Sequence, residues 1–273
     1  MVIEDLFPGS RDFPNREGRE LYAKNPVILL PMGSHEDQGP HAPMGDYLLA
    51  EKIAELAAVR ASNNGVRTVV APVLPFGGAD FFGPMIGGIA ITPATLTSVI
   101  TDMVASLHRT GLTRLIVING HGGNVGPIAE VARALYRDRK IVMPSLYLWR
   151  IAYGLMPGLI GADLAAKVAG HGADPLTSLG LHLLPKILRP DLIPDATPLK
   201  RDPELGLAFT GLGTASFEGA EVGMPHEYDD VYTAGVAKGD PRLSSAETGR
   251  VLAEKLVDIT ARFIAHFAAK VPA

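Results

Sequence analysis

PVILLPMGSHEDQGPHAPMGDYLLAEKIAELAAVRA, residues 26–61, holds the pattern on which the fold turns. Pro26 to Met32 form a continuous apolar run. From Asp46 to Ala61 the apolar residues Leu49, Ile53, Leu56 and Ala57 recur at helical spacing. Continuous rather than alternating apolarity predicts a strand covered on both faces. Strand, loop and helix in that order open an α/β unit. The loop between them, Gly33 to Asp46, is dense in chemistry: six of its fourteen residues are His, Glu, Asp or Gln.

The pattern recurs along the chain. Further strands are expected in VRTVVAPVL (66–74), TRLIVING (113–120) and KIVMPSLYLW (140–149). A helix is expected over 92–111, with Thr92 as its N-cap, Pro93 in its first turn and Gly111 at its exit. NVGPIAEVARALYRDR (124–139) predicts another, with Asn124 placed to cap it. From about 150 to 240 glycine and proline are frequent, which predicts loops and short elements, with one helix in DPLTSLGLHLLPKIL (174–188). The chain closes on an amphipathic helix over 244–270, with Val251, Leu252, Leu256, Ile259, Phe263 and Phe267 on its apolar side. The expectation is a three-layer α/β/α fold with a mostly parallel central sheet, as one domain over residues 1–273.

Composition narrows the function. The 273 residues suffice for one large core. Hydrophobic residues are 47% and charged residues 20%, an ordinary globular balance. The net charge is −4 and no Lys/Arg run exceeds two residues, which argues against nucleic acid as a partner. There is no cysteine, so disulfides, thiolate metal sites and a cysteine nucleophile are excluded. No apolar run approaches the roughly 18 residues of a membrane span, and the first twenty residues carry no signal core. A cytoplasmic enzyme with no membrane partner is expected.

In open α/β sheets, sites form where strands end at the carboxyl edge. Two stretches sit there: the loop Gly33–Asp46 and NGHGGN (119–124). The glycines of the second let the backbone turn and leave His121 unobstructed. Glu36, Asp46 and His121 would make an open three-ligand site for zinc, manganese or iron, and such a site activates water. The competing reading of His35-Glu36-Asp37 is a solvated turn. GGADFFGPMIGG (77–88) reads as a flap or a plain loop. His108 and His266 read as structural, His182 as packed, and Trp149 as a core or interface residue. Glu218, Glu221, His226 and Glu227 occupy a loop that either closes over a neighbouring site or is simply solvated.

PMGSHEDQGPHAPMGD followed by a helix, and then NGHGGN, resembles the creatininase (creatinine amidohydrolase) family. GVAKGDPRLSSAETG (235–249) and HGADPLTSLGLHLLP (171–185) are similar to later motifs of that family. The resemblance implies a hydrolase of three-layer α/β fold, an oligomer that is often hexameric, and a divalent metal site, commonly binuclear, that opens small cyclic amides. It implies Glu36, Asp46 and His121 as metal ligands and His171 as a histidine near the substrate; His171 or a carboxylate, Glu36 among them, is expected to move the proton.

The departures matter. A ligand histidine of the family is Gln38 here, a glutamate after the NGH histidine is Gly123, and a later glutamate is Leu176. The stretch Pro43 to Asp46 is one residue shorter than usual. One tightly bound ion per chain (Zn or Mn, or Fe) is therefore expected. His35, Gln38, His41, Asn119, Gly122 and Gly123 are candidates for an additional ligand or a substrate contact. His41 is expected to support the loop and Asp37 to face solvent. The substrate is expected to be a small cyclic amide. A cyclic polyol ketone such as 3-dehydro-scyllo-inosose, opened at a carbon–carbon bond, is the alternative. A metal-poor binding relative without catalysis is the rival from another class.

Overall fold

The computed structural model describes residues 15–78, 85–195, 204–211, 213–224 and 235–271. Residues 79–84 of the 77–88 segment, and His226 and Glu227, lie outside them. After a short helix α1 (Asn15–Tyr22), β1 (Val27–Met32), α2 (Tyr47–Asn63), β2 (Thr68–Val70), α3 (Pro93–Arg109), β3 (Leu115–Asn119), α4 (Val125–Arg139) and β4 (Ser145–Tyr147) alternate. The four strands form one parallel sheet in the order β2-β1-β3-β4.

Both faces of that sheet are buried, and the sequence shows why. Along β1, Val27 and Leu29 point into one core while Ile28, Leu30 and Met32 point into the other. Along β3, Ile116 and Ile118 join the first core, and Leu115 and Val117 the second. Successive strand side chains alternate faces, so a strand without polar residues feeds two layers. The first layer contains α2 with α5 (Leu148–Ile160), α7 (Leu176–Leu183) and α8 (Ala246–Lys270). The second contains α3 and α4, packed on each other. Each fully buried Leu or Ile contributes about 1.5–3 kcal/mol. This is the three-layer α/β/α arrangement.

Local chemistry sets the helix starts. Thr92 Oγ1 accepts from Thr95 N–H at 3.2 Å, and Pro93 follows. Ser245 Oγ accepts from Thr248 N–H at 3.0 Å and opens α8. On α8 the buried stripe is Leu252, Leu256, Val257, Ile264 and Phe267, while Val251, Ile259 and Phe263 are only half-buried.

Three expectations are corrected. The fourth strand is three residues long, and Leu148 and Trp149 already belong to α5. The region after 150 is more helical than expected, with α5 and α6 (Ala162–Val168) end to end. The helix expected over 174–188 stops at Leu183. Later, β5 (Phe209–Gly211), β6 (Thr214–Phe217) and β7 (Ala220–Gly223) form a small antiparallel sheet.

Register places the chemistry. Met32 pairs with Asn119, and Asn119 with Tyr147. The carboxyl ends of β1, β3 and β4 therefore stand at one level, and the segments leaving them are neighbours.

Candidate metal centre

Glu36 leaves the end of β1, Asp46 immediately precedes α2, and His121 follows β3. Register brings the three together. Their ligand-capable atoms lie within 4.8 Å of one another. His121 Nδ1 is 3.1 Å from Asp46 Oδ2 and 3.4 Å from Glu36 Oε2. All three residues are buried, with none more than 4% exposed.

The other carboxylate oxygens are engaged by the protein. Ser34 N–H donates to Asp46 Oδ1 at 2.7 Å. Gln38 Nε2 donates to Glu36 Oε1 at 2.6 Å. Around them the backbone closes tightly: a Cβ on Gly33 would stand 2.5 Å from Asp46 Oδ1, and one on Gly120 2.8 Å from Ala50 Cβ. His121 itself is extended, with φ −138°. Gly120, Gly122 and Gly123 are not in the left-handed region, so close approach, rather than an unusual turn, calls for Gly120.

Asn124 does not cap α4. Its Oδ1 accepts from Gly78 N–H at 3.0 Å, and its Nδ2 donates to Gly33 O at 3.1 Å and Asn119 Oδ1 at 3.3 Å. Asn119 in turn donates to His121 O at 2.7 Å and accepts from His121 N–H at 3.0 Å. Two asparagines thus fix the His121 backbone to the loop after β1. Trp149 is buried and donates its Nε1–H to Gly120 O.

The electrostatics favour a bound cation. Burial raises the Glu36 pKa to about 7, although His121 pulls it down. Burial alone would lower the His121 pKa, but Glu36 and Asp46 override it and hold it well above its ordinary value. Among the described residues no Lys or Arg pairs with Glu36 or Asp46. Two desolvated carboxylates beside one imidazole offer hard oxygen and borderline nitrogen, and they fit a divalent ion.

The remaining expected residues divide. Gln38 is buried beside Glu36, and its Oε1 has no partner among the described residues. His35 stands outside the three-residue cluster; its carbonyl accepts from Ile89 N–H, and its ring is 6.1 Å from that of Tyr47. His41 is turned toward α7, with Nε2 2.9 Å from Thr177 Oγ1. Asp37 is half-buried rather than solvent-facing, and its Oδ1 accepts from Gly39 N–H at 2.7 Å. Gly122 and Gly123 form the turn before α4, directly after His121.

His171 Nε2–H donates to Asp37 O at 2.7 Å. That bond sets the tautomer and leaves Nδ1 as the basic nitrogen. Burial lowers its pKa to about 4, with the charge of His121 acting in the same direction. His182 is exposed rather than packed, as are Glu218, Glu221 and His266, and His108 is half-buried between α3 and α4.

Sequence reasoning missed Tyr147. A Cβ on Gly122 would lie 3.2 Å from its hydroxyl. Burial, with Asp46 and Glu36 nearby, raises its pKa. Its only signal was its place at the end of a strand beside β3.

The family model described as creatinine amidohydrolase matches residues 13–264. A mycofactocin precursor peptide peptidase of Mycolicibacterium smegmatis is 32% identical over 44% of this chain, and the match spans only 50% of that relative. The creatinine amidohydrolase of Pseudomonas putida is 28% identical over 72% of this chain and 79% of its own length. A 3-dehydro-scyllo-inosose hydrolase of Thermotoga maritima is 26% identical over 93% and 82%. A solved creatininase of Zn–Zn type superposes with a TM-score of 0.74 at 20% identity, covering 98% of this chain and 100% of that one. A manganese form gives 0.71 at 22%, covering 96% and 98%. A family model that spans nearly the whole chain, together with the same layered fold, leads to one conclusion: the chain belongs to the creatininase family.

Proposed function

We propose that this chain is a divalent-metal-dependent hydrolase that opens a small polar ring at a carbonyl carbon, with a cyclic amide as the substrate class. The convergence of Glu36, Asp46 and His121 at one buried point carries the reading. These three side chains would hold the ion. When bound, a divalent ion polarises a carbonyl oxygen and lowers the pKa of water to about 7.

The chain supplies the rest. His171, whose pKa burial lowers to about 4, would take a proton from the attacking water and return it to the leaving group. Gly122 and Gly123 open the turn before α4, where a helix start leaves N–H groups without intrahelical partners; these would face developing oxyanion charge. Asn119 and Asn124 keep His121 in place while the substrate exchanges.

A second reading is supported by the hydrolase relative whose match covers 93% of this chain. In it the same water attacks a cyclic polyol ketone, and a carbon–carbon bond breaks. Products separate the two readings: an amine-bearing acid in one, a nitrogen-free sugar acid in the other. Peptide cleavage, as in the peptidase relatives, would appear as two shorter peptides in the same screen. Retained turnover in Glu36→Ala or His121→Ala would defeat the metal assignment in every case. The proposal carries with it a single catalytic domain in a cytoplasmic homo-oligomer, to be checked by fractionation and sedimentation. No helix among the described residues is long and apolar enough to cross a membrane.

A further inference from the structure

We infer that Gln38 limits this centre to a single divalent ion. The inference rests on the metal reading above and specifies it. Each carboxylate has two oxygens, and a two-ion centre needs either a bridging carboxylate or a second set of donors. Among the described residues Glu36, Asp46 and His121 are the one group of His and carboxylate donors close enough to hold an ion, so a second ion would find no donor set of its own. Asp46 gives one oxygen to Ser34 N–H at 2.7 Å and turns the other toward His121. Glu36 gives Oε1 to Gln38 Nε2 at 2.6 Å and turns Oε2 toward the same imidazole nitrogen, 3.4 Å away. The donors that remain are one oxygen from each acid and one ring nitrogen, and they face one point.

Gln38 is what commits Glu36. It is 3% exposed, so water does not compete for that hydrogen bond. What stands against Glu36 Oε1 is therefore a neutral amide N–H, and not an anionic or imidazole donor that could hold a second ion there. The other end of the amide, Oε1, is buried without a partner among the described residues. It is neutral and cannot offset a second dication as a carboxylate would. His41 does not fill the gap, because its Nε2 is held 2.9 Å from Thr177 Oγ1.

The substitution Gln38→Glu keeps the shape and replaces the donor with an anion. Two carboxylate oxygens about as close as the present 2.6 Å pair either share a proton or take up a cation, and excess divalent ion favours the second. Gln38→His removes the amide and adds a neutral nitrogen ligand.

The test is the number of ions per chain. Wild type, Gln38→Glu and Gln38→His are loaded separately with excess Zn²⁺ and Mn²⁺, desalted, and counted by native mass spectrometry and elemental analysis. Circular dichroism reports the fold of each. The expected result is one ion in wild type and two in at least one folded variant. Two ions in wild type overturn the inference. One ion in wild type and in every folded variant overturns the role of Gln38. No ion in wild type defeats the metal reading itself, a result distinct from either.

Discussion

Glu36 occupies a hostile place for a carboxylate. Burial holds its pKa near 7, and the Asp46 charge adds to the effect. A proton therefore competes with a cation for the site around neutral pH. Divalent-metal affinity should rise with pH through 7, by about tenfold per unit for each proton displaced. Calorimetric titration at pH 6 and pH 8 checks this, and equal affinities would contradict it. A group whose folded pKa is raised stabilises the fold fully below its unfolded value and loses that contribution as pH climbs through the folded value. For Glu36 the window runs from 4.5 to about 7 in the metal-free protein. Glu36→Gln should therefore make the metal-free protein more stable at pH 8, by ~1–3 kcal/mol, while abolishing metal retention. Urea melts with and without chelator would show it. His171 has the opposite sign: its pKa is lowered, so its contribution is present above 6.5 and fades as pH falls toward 4. His171→Asn should keep its metal and lose about 10²–10⁴ in kcat, read from steady-state rates beside metal content. Glu36, Asp46 and His121 were legible because polar ligand types interrupt apolar runs where strands end. Tyr147 was not, because an aromatic inside SLYLW looks like any other strand residue.

At the scale of elements, the buried strands were the most readable feature and the broken helices the least. β1 and β3 carry unbroken apolar runs because each face meets a helical layer. The strand expected over 140–149 shrinks to three residues at the sheet edge, where only one neighbour holds it. The helix α5 was hidden by Gly154, Pro157 and Gly158, which normally mark a break. Burial of Leu148, Trp149, Ala152 and Met156 overrides that local preference. The role of Asn124 was misread for a related reason: its position before a helix suggests a cap, but the groups it satisfies come from Gly33, Gly78 and Asn119. Asn124→Ala would strand these buried groups. It should cost about 2–4 kcal/mol in chemical denaturation and weaken metal binding as His121 loosens. Thr92→Ala removes a single exposed cap and should cost only ~1 kcal/mol, with metal content unchanged.

Across the whole molecule the apolar surface is uneven. Ile86 is 99% exposed, and Ile89, which pairs with His35 beside the centre, is 47% exposed. Exposed apolar residues at the edge of a site suit a contact between subunits. Sedimentation should show a multimer, and Ile86→Glu should shift it toward smaller species while the metal content of each chain is preserved. The layered plan was visible in the sequence because its period repeats. The pairing of distant segments was not: His171 is bridged to Ala237, a neighbour that no local pattern announces. The two-faced burial of β1 and β3 also has a kinetic side. A strand shared by two cores has no layer that can peel away and leave it exposed, so its amides should be among the slowest to exchange with deuterium. Glu36 and His121 follow those strands directly. Loss of the ion to a chelator should then track rare openings of the whole sheet, more than fraying at the surface, and the centre should outlast much of the periphery as the molecule is heated.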